Sequence, residues 1–96
     1  MIVWVLYDIK KDKPRARVAK LCKQAGLYRV QLSVFIGTLD ANEKDTLEIQ
    51  IEELIDEGTD SVYIFPMSKN ELQQTSLLGQ AFDRGLVTDQ VKALFL

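Results

Sequence analysis

Asp8 is the residue best placed to do chemistry in this chain, because it ends an almost wholly apolar run, IVWVLY. Such a run is typical of a strand that is buried on both faces, and we predict a strand over residues 2–8. A carboxylate at the end of a central strand lies where loops gather. Asp8 therefore either caps the following turn or supplies a hard oxygen ligand to a metal ion. One acid per chain, with Asp12 as a weaker second candidate, is too few for a metal site unless a two-fold dimer brings together two copies of Asp8.

The 96-residue chain has no histidine and a single cysteine. The absence of histidine excludes Ser-His-Asp and Cys-His nucleophiles and any zinc site that uses histidine. Metal chemistry must then use carboxylates, which favour Mg²⁺ or Mn²⁺. Cys22 lies among apolar helix positions, which predicts a buried free thiol and a reducing, cytoplasmic compartment. No apolar run approaches the roughly 18 residues of a membrane span.

The charges are strongly separated along the chain, although the net charge is only -2. Residues 9–30 contain eight basic residues and one acid, whereas residues 40–60 contain nine acids and one lysine. The basic segment is either a solvated helix face or a nucleic-acid surface. Arg15 is near a predicted helix N-terminus, where anions are favoured, and Arg17 diverges from it by about 200° on a helix.

A second group of candidate residues comes from the alternating segment YRVQLSVFIGTL. If the segment is extended, one of its faces carries Arg29, Gln31, Ser33 and Phe35. Such a set can contact a nucleic-acid backbone and stack a base. The same residues could line a dimer interface or pack under a helix, and for Phe35 packing is favoured. Tyr7 is also favoured as a packing residue with a solvated hydroxyl.

The order of predicted elements indicates one α+β domain over residues 1–96, a two-layer ferredoxin-like sandwich (βαββαβ) with an extra C-terminal strand. The predicted first helix has Asp12 as N-cap and Gly26 as its stop, and the second has a capping box of Asp40 and Glu43. An apolar chain end is expected to dock as a strand, on this chain or on a partner subunit. The elements are strand 2–8, helix 13–25, an extended segment 28–39 of one strand or two, helix 41–57, strand 61–67, a turn or short helix 69–74, strand 76–82 and strand 91–96.

Four stretches of the chain closely resemble the CRISPR-associated protein two family, the small subunit of the CRISPR spacer-acquisition machinery. They are VLYDI, PRARV, GLYRVQLSVFIG and DSVYIFPM. The match covers residues 2–67 in order and spacing, and GQAFD with the apolar end looks like one branch of the family. The resemblance implies a homodimer in which the C-terminal strand, within residues 77–96, is exchanged between protomers. It also implies a metal-dependent endonuclease that acts on single-stranded RNA or double-stranded DNA.

The same resemblance implies a magnesium site at which Asp8 from both protomers is the catalytic residue and the metal ligand. It further implies that the dimer bridges two dimers of a CRISPR-associated integrase, which does the joining chemistry, and that nuclease activity is dispensable for this scaffold role. A DNA-bridging scaffold without catalysis is therefore the alternative function, and a small-molecule-sensing domain stays open on fold alone. The other implicated positions are nucleic-acid-binding Arg15, Arg17 and Arg29, and supporting Tyr7, Ser33 and Phe35.

Overall fold

The computed structural model describes residues 1–83 and 89–94, and it forms a four-stranded antiparallel sheet with helices. The strand order is β2-β3-β1-β4, the order of a ferredoxin-like sheet, and confirms the predicted α+β class. None of the helices in these ranges is long and apolar enough to cross a membrane. The elements are β1 Ile2–Asp8, α1 Asp12–Gln24, β2 Tyr28–Gln31, β3 Val34–Thr38, α2 Ala41–Leu54, β4 Ser61–Met67, α3 Lys69–Gln73 and α4 Asp89–Ala93.

Strand β1 is central and its two faces belong to two different cores, as its unbroken apolar run predicts. On the first face, which we call the helix face, Val3, Val5 and Tyr7 pack against α1 and α2 through residues such as Val18 and Leu47. The opposite face, which we call the second face, begins with Ile2 and Trp4 of the same strand. It is covered by residues from α3, α4 and the segment between them, including Leu72, Phe82 and Val91.

The segment 28–39 forms two strands, which settles the alternative left open by its sequence. The turn lies at Leu32 and Ser33, between β2 and β3. The alternation would place Leu32 in the row of Val30 and Ile36, both fully buried, but the turn leaves its side chain 72% exposed. A turn interrupts the alternation of buried and exposed side chains, so this alternation predicts burial within each strand but not from one strand to the next.

Both long helices begin close to the predicted positions. Asp12 is the first residue of α1 rather than its N-cap: Lys11 has the extended N-cap conformation, and no side chain caps this end. The capping box of α2 is confirmed, since Asp40 accepts from the backbone N–H of Glu43 at 2.7 Å and Glu43 accepts from that of Asp40 at 3.0 Å. Gly26 ends the first helical segment with φ of 92°.

Helix α2 ends at Leu54, three residues before the predicted end. Ile55 is already extended, and the following turn is held by side-chain acceptors, with Asp56 accepting from the backbone N–H of Gly58 at 2.9 Å. A helix C-terminus disfavours negative charge, and EELIDEG would place two more acids there if the helix continued.

The strand predicted for residues 76–82 is wrong for this chain, because these residues form turns and bends after an irregular stretch. Gly79 has a φ of 62°, and the segment crosses near the end of β2 instead of pairing along a strand. There the Gln31 side-chain amide donates to the carbonyl of Gln80, and the backbone N–H of Asp83 donates to the carbonyl of Val30 at 2.7 Å.

The predicted strand over residues 91–96 is also wrong where the structure describes it, because Asp89–Ala93 is helical. Val91 is fully buried against the second face. The described C-terminal residues therefore pack on this chain, as expected, but they do so as a helix. Residues 84–88 and the last two residues of the predicted strand, 95 and 96, lie outside the described ranges.

Candidate metal and nucleic-acid site

Asp8 lies at the end of β1 as predicted, and its side chain is 72% exposed. It follows Leu6 on the second face, since alternate strand residues share a face, and it pairs with Ser61 at the start of β4. The ammonium group of Lys10 lies 3.1 Å from Asp8 Oδ2. The carboxylate is thus a solvated group with a cationic neighbour, open to further ligands.

Asp60 is a second acid near this strand end, and sequence reasoning missed it. Its Oδ1 accepts from the backbone N–H of Lys10 at 3.0 Å and its Oδ2 from that of Asp56 at 2.9 Å. These backbone donors, that of Asp56 first, hold the pKa of Asp60 below its usual 3.8. Asp60 therefore joins the loop after β1 to the loop before β4. The only signal in the sequence was an acid directly before a strand.

Tyr7 is buried, at 6% exposure, and fixes the turn between β2 and β3. Its hydroxyl donates to the carbonyl of Leu32 at 3.2 Å, and its backbone N–H donates to the carbonyl of Ser33 at 3.1 Å. Its ring stacks on Phe35 with 6.3 Å between centroids. The predicted packing interpretation is confirmed for both aromatic residues, and the hydroxyl of Tyr7, predicted to be solvated, donates to a backbone carbonyl.

A groove of about 540 Å³ lies between the start of α1 and the turn that Tyr7 holds. It brings together three predicted residues, Arg15, Arg29 and Ser33. Asp12, Ala16 and Leu32 complete its lining. Two guanidinium groups in one groove favour an anion such as a phosphate.

Arg15 is held at the groove by its own contacts. One guanidinium nitrogen donates to the carbonyl of Ile9 at 3.0 Å, and the other is paired with Asp12. The guanidinium carbon of Arg29 lies 5.1 Å from the centroid of the Phe35 ring, within the range of a cation–π contact. In the described part of the chain, Nε of Arg29 is buried without a hydrogen-bond partner.

Arg17 does not join this groove, and the predicted divergence from Arg15 is confirmed. It lines a different hollow with Lys20, Gln24 and Leu54, on the side of α1 that approaches the end of α2. The predicted site residues therefore fall into three places: Asp8 on the second face, Arg15 with Arg29 and Ser33 in the groove, and Arg17 apart from both.

The donor set of Asp8 fits Mg²⁺ or Mn²⁺ only in part. An exposed carboxylate is a hard ligand of the type these ions take. However, among residues 1–83 and 89–94 no three acidic or cysteine side chains cluster to hold a metal. A site that fits a divalent ion would need Asp8 from a second copy of the chain.

The fold and these residues define a small ferredoxin-like α+β protein with an exposed acid at the end of its central strand and a separate cationic groove between the start of α1 and the turn after β2. The family model of CRISPR associated protein Cas2 matches residues 1–75, and the chain belongs to this family. The predicted resemblance is thereby confirmed, and with it the place of the chain among CRISPR adaptation proteins.

Curated relatives and solved structures agree with this assignment. The chain is 40% identical over 67 residues to CRISPR-associated endoribonuclease Cas2 1 of Archaeoglobus fulgidus, covering 70% of this chain and 71% of the relative. It is 34% identical to CRISPR-associated endoribonuclease Cas2 of Korarchaeum cryptofilum, covering 86% and 90%. The crystal structure of Streptococcus pyogenes Cas2 at pH 6.5 superposes with a TM-score of 0.68 at 34% identity, covering 82% of this chain and 100% of that one. The names of these relatives agree with the predicted nuclease class.

Proposed function

We propose that this chain acts as a homodimeric, Mg²⁺-dependent endonuclease in CRISPR adaptation, with Asp8 of each protomer as the catalytic residue and metal ligand. The observation that carries the proposal is the position of Asp8: an exposed carboxylate at the end of a strand that is otherwise buried on both faces. The names endoribonuclease and endonuclease borne by the curated relatives support the same activity.

The exposed part of the second face supports a dimer that would bring two copies of Asp8 together. Tyr63 and Phe65 of β4 stack with 6.2 Å between centroids and are 56% and 48% exposed. They lie opposite Leu6 and Trp4, and directly paired residues share a face, so this apolar surface is on the same face as Asp8. An apolar hollow of about 220 Å³ adjoins it. A second copy that covers this surface would approach Asp8 as well, and residues 77–96 are the segment that we expect to be exchanged.

In the proposed reaction the two Asp8 carboxylates would hold a divalent ion, which would supply a Lewis acid for the phosphodiester and for the attacking water molecule. The chain's own residues bind and orient the substrate: Arg15 and Arg29 hold a phosphate in the groove, and Ser33 lies beside it. Tyr7 supports the turn that carries Ser33. Single-stranded RNA and double-stranded DNA are the candidate substrates, and a cytoplasmic location fits the buried free thiol of Cys22.

Cleavage assays of wild type and Asp8→Asn test this proposal. Single-stranded RNA and duplex DNA are incubated with each protein, with Mg²⁺, with Mn²⁺ and with EDTA. We expect cleavage only by the wild type with a divalent ion, because the amide is a poorer ligand. The control is Asp45→Asn, an exposed acid on α2, which should cleave like the wild type. Unchanged cleavage by Asp8→Asn would disprove the role of Asp8.

The second candidate function is a DNA-bridging scaffold for the CRISPR integrase, without essential catalysis. It is favoured by the small number of metal ligands that one chain offers in the described ranges. The cationic residues of α1 would then bind duplex DNA, and affinity would fall steeply with salt because counterions are released.

Duplex binding by Arg15→Glu and Arg17→Glu, measured at several salt concentrations, tests the scaffold. Both variants should bind DNA more weakly and with a smaller salt slope, while Asp8→Asn binds normally. Lys69→Glu, on α3, is the matched control for charge reversal. Wild-type affinity in both arginine variants would rule out this surface, and spacer acquisition by Asp8→Asn would separate scaffold from nuclease.

A further inference from the structure

The contact between Lys10 and Asp8 has no part in the proposed reaction. Lys10 Nζ lies 3.1 Å from Asp8 Oδ2, although the two side chains are 59% and 72% exposed. An ammonium group at this distance occupies an oxygen that a divalent ion would need.

Hydrogen bonds hold the backbone of Lys10 and of the residue before it, so the position of the Lys10 Cα atom is fixed. Its own N–H donates to Asp60 Oδ1 at 3.0 Å. The preceding Ile9 is buried at 3% exposure, and its carbonyl accepts from Arg15 at 3.0 Å. Asp60 is itself tied to the backbone N–H of Asp56. The loop therefore holds the lysine two residues from the carboxylate, within reach of it.

We propose that Lys10 is the built-in counter-ion of Asp8, and that a divalent cation must displace it before it binds. The inference rests on the proposed metal site at Asp8. Lys10 then has two effects on that site: it withdraws one carboxylate oxygen, and its positive charge repels the incoming ion. In a two-fold dimer it also neutralises the repulsion between two carboxylates in the absence of metal. Lys10 thus sets how much divalent ion the site requires.

Mn²⁺ binding to the full chain tests this role without relying on cleavage. Free Mn²⁺ is measured by electron paramagnetic resonance for the wild type, Lys10→Gln, Lys10→Arg and Asp8→Asn. Lys11→Gln is the matched control, because it removes an equal charge from the same loop. Exposed ion pairs are worth at most about 1 kcal/mol. We therefore expect Lys10→Gln to bind Mn²⁺ about two- to fivefold more tightly than Lys11→Gln.

Two further results would support the role of Lys10. Lys10→Arg, which keeps the charge, should bind Mn²⁺ with an affinity near that of the wild type. The advantage of Lys10→Gln over the wild type should shrink as ionic strength rises, since salt screens exposed charges.

The opposing outcomes separate this inference from the proposed function. If Mn²⁺ binding is lost in Asp8→Asn but is equal in Lys10→Gln and Lys11→Gln, the counter-ion role is overturned and the metal site stands. If neither the wild type nor Lys10→Gln binds Mn²⁺ more tightly than Asp8→Asn, the metal site falls, and the role of Lys10 with it.

Discussion

Neighbouring residues of β1 lie on opposite faces of the sheet, and a single chain buries the helix face more fully than the second face. On the helix face, Tyr7 is buried beside Phe35 under α1 and α2. On the second face, Asp8 is exposed, and the nearby aromatic pair of β4 is about half exposed. The helix face is thus buried within one chain, and the cationic groove lies at its edge, whereas part of the second face leaves Asp8 and two aromatic side chains exposed.

The largest expected effect is from Phe35→Ala on the helix face. Phe35 is fully buried, so the substitution should lower the free energy of unfolding by about 3–5 kcal/mol. The measurement is urea denaturation followed by circular dichroism. The matched change on the second face is Phe65→Ala, which should cost less than about 1 kcal/mol while the chain is monomeric.

The cost of Phe65→Ala should also be measured at several protein concentrations. If the second face is covered by another copy, the cost of Phe65→Ala should increase with protein concentration, because dimerisation stabilises the folded state by mass action. A cost for Phe65→Ala as large as that for Phe35→Ala at the lowest concentration would show that the two faces do not differ as described.

The next effect concerns Cys22, which belongs to the helix-face core. Burial raises the pKa of its thiol from 9.0 to about 12, partly offset by the charge of Arg29. The unfolded chain releases this proton near pH 9 while the folded chain retains it, so stability should fall as pH rises from about 9 towards 12. Denaturation across this range compares the wild type with Cys22→Ala, whose alkaline loss should be smaller. Parallel curves would contradict the burial of the thiol.

A smaller effect is expected for Tyr7→Phe, which keeps the ring on the helix face and removes only the hydroxyl. The lost bond to the carbonyl of Leu32 should cost about 0.5–1.5 kcal/mol. Because that bond holds the turn that lines the cationic groove, nucleic-acid affinity should fall with it. Tyr63→Phe, at an exposed hydroxyl on the second face, is the control and should leave both quantities unchanged.

The smallest effect on stability is expected for Asp8→Asn. The carboxylate is 72% exposed and its partner Lys10 is also exposed, so the free energy of unfolding should change by no more than about 0.5 kcal/mol. Thermal denaturation of Asp8→Asn, measured together with its cleavage activity, would show that the variant loses activity but stays folded. A change above about 2 kcal/mol would show that Asp8 has a structural role on the second face.

Much of the fold follows from local patterns in the sequence. The apolar run before Asp8 predicted the central strand, and the Asp40 and Glu43 capping box predicted the start of α2. These signals depend on neighbouring residues, which is why sequence alone contains them. The C-terminal residues were predicted to be strands, but their conformation depends on what the second face offers them, and there Val91 packs as part of a helix.

For the site, the residue types and their spacing identify which groups are available: one carboxylate at a strand end, several nearby cations and no histidine. Which of these groups lie together depends on how distant segments pack. Arg29 and Arg15 are distant in sequence, yet the hairpin places both in one groove, while Arg17 is turned away. Asp60 reaches Lys10 across 50 positions because β4 pairs with β1. Residue types and spacing are local properties, whereas contacts between distant segments exist only once the strands have paired.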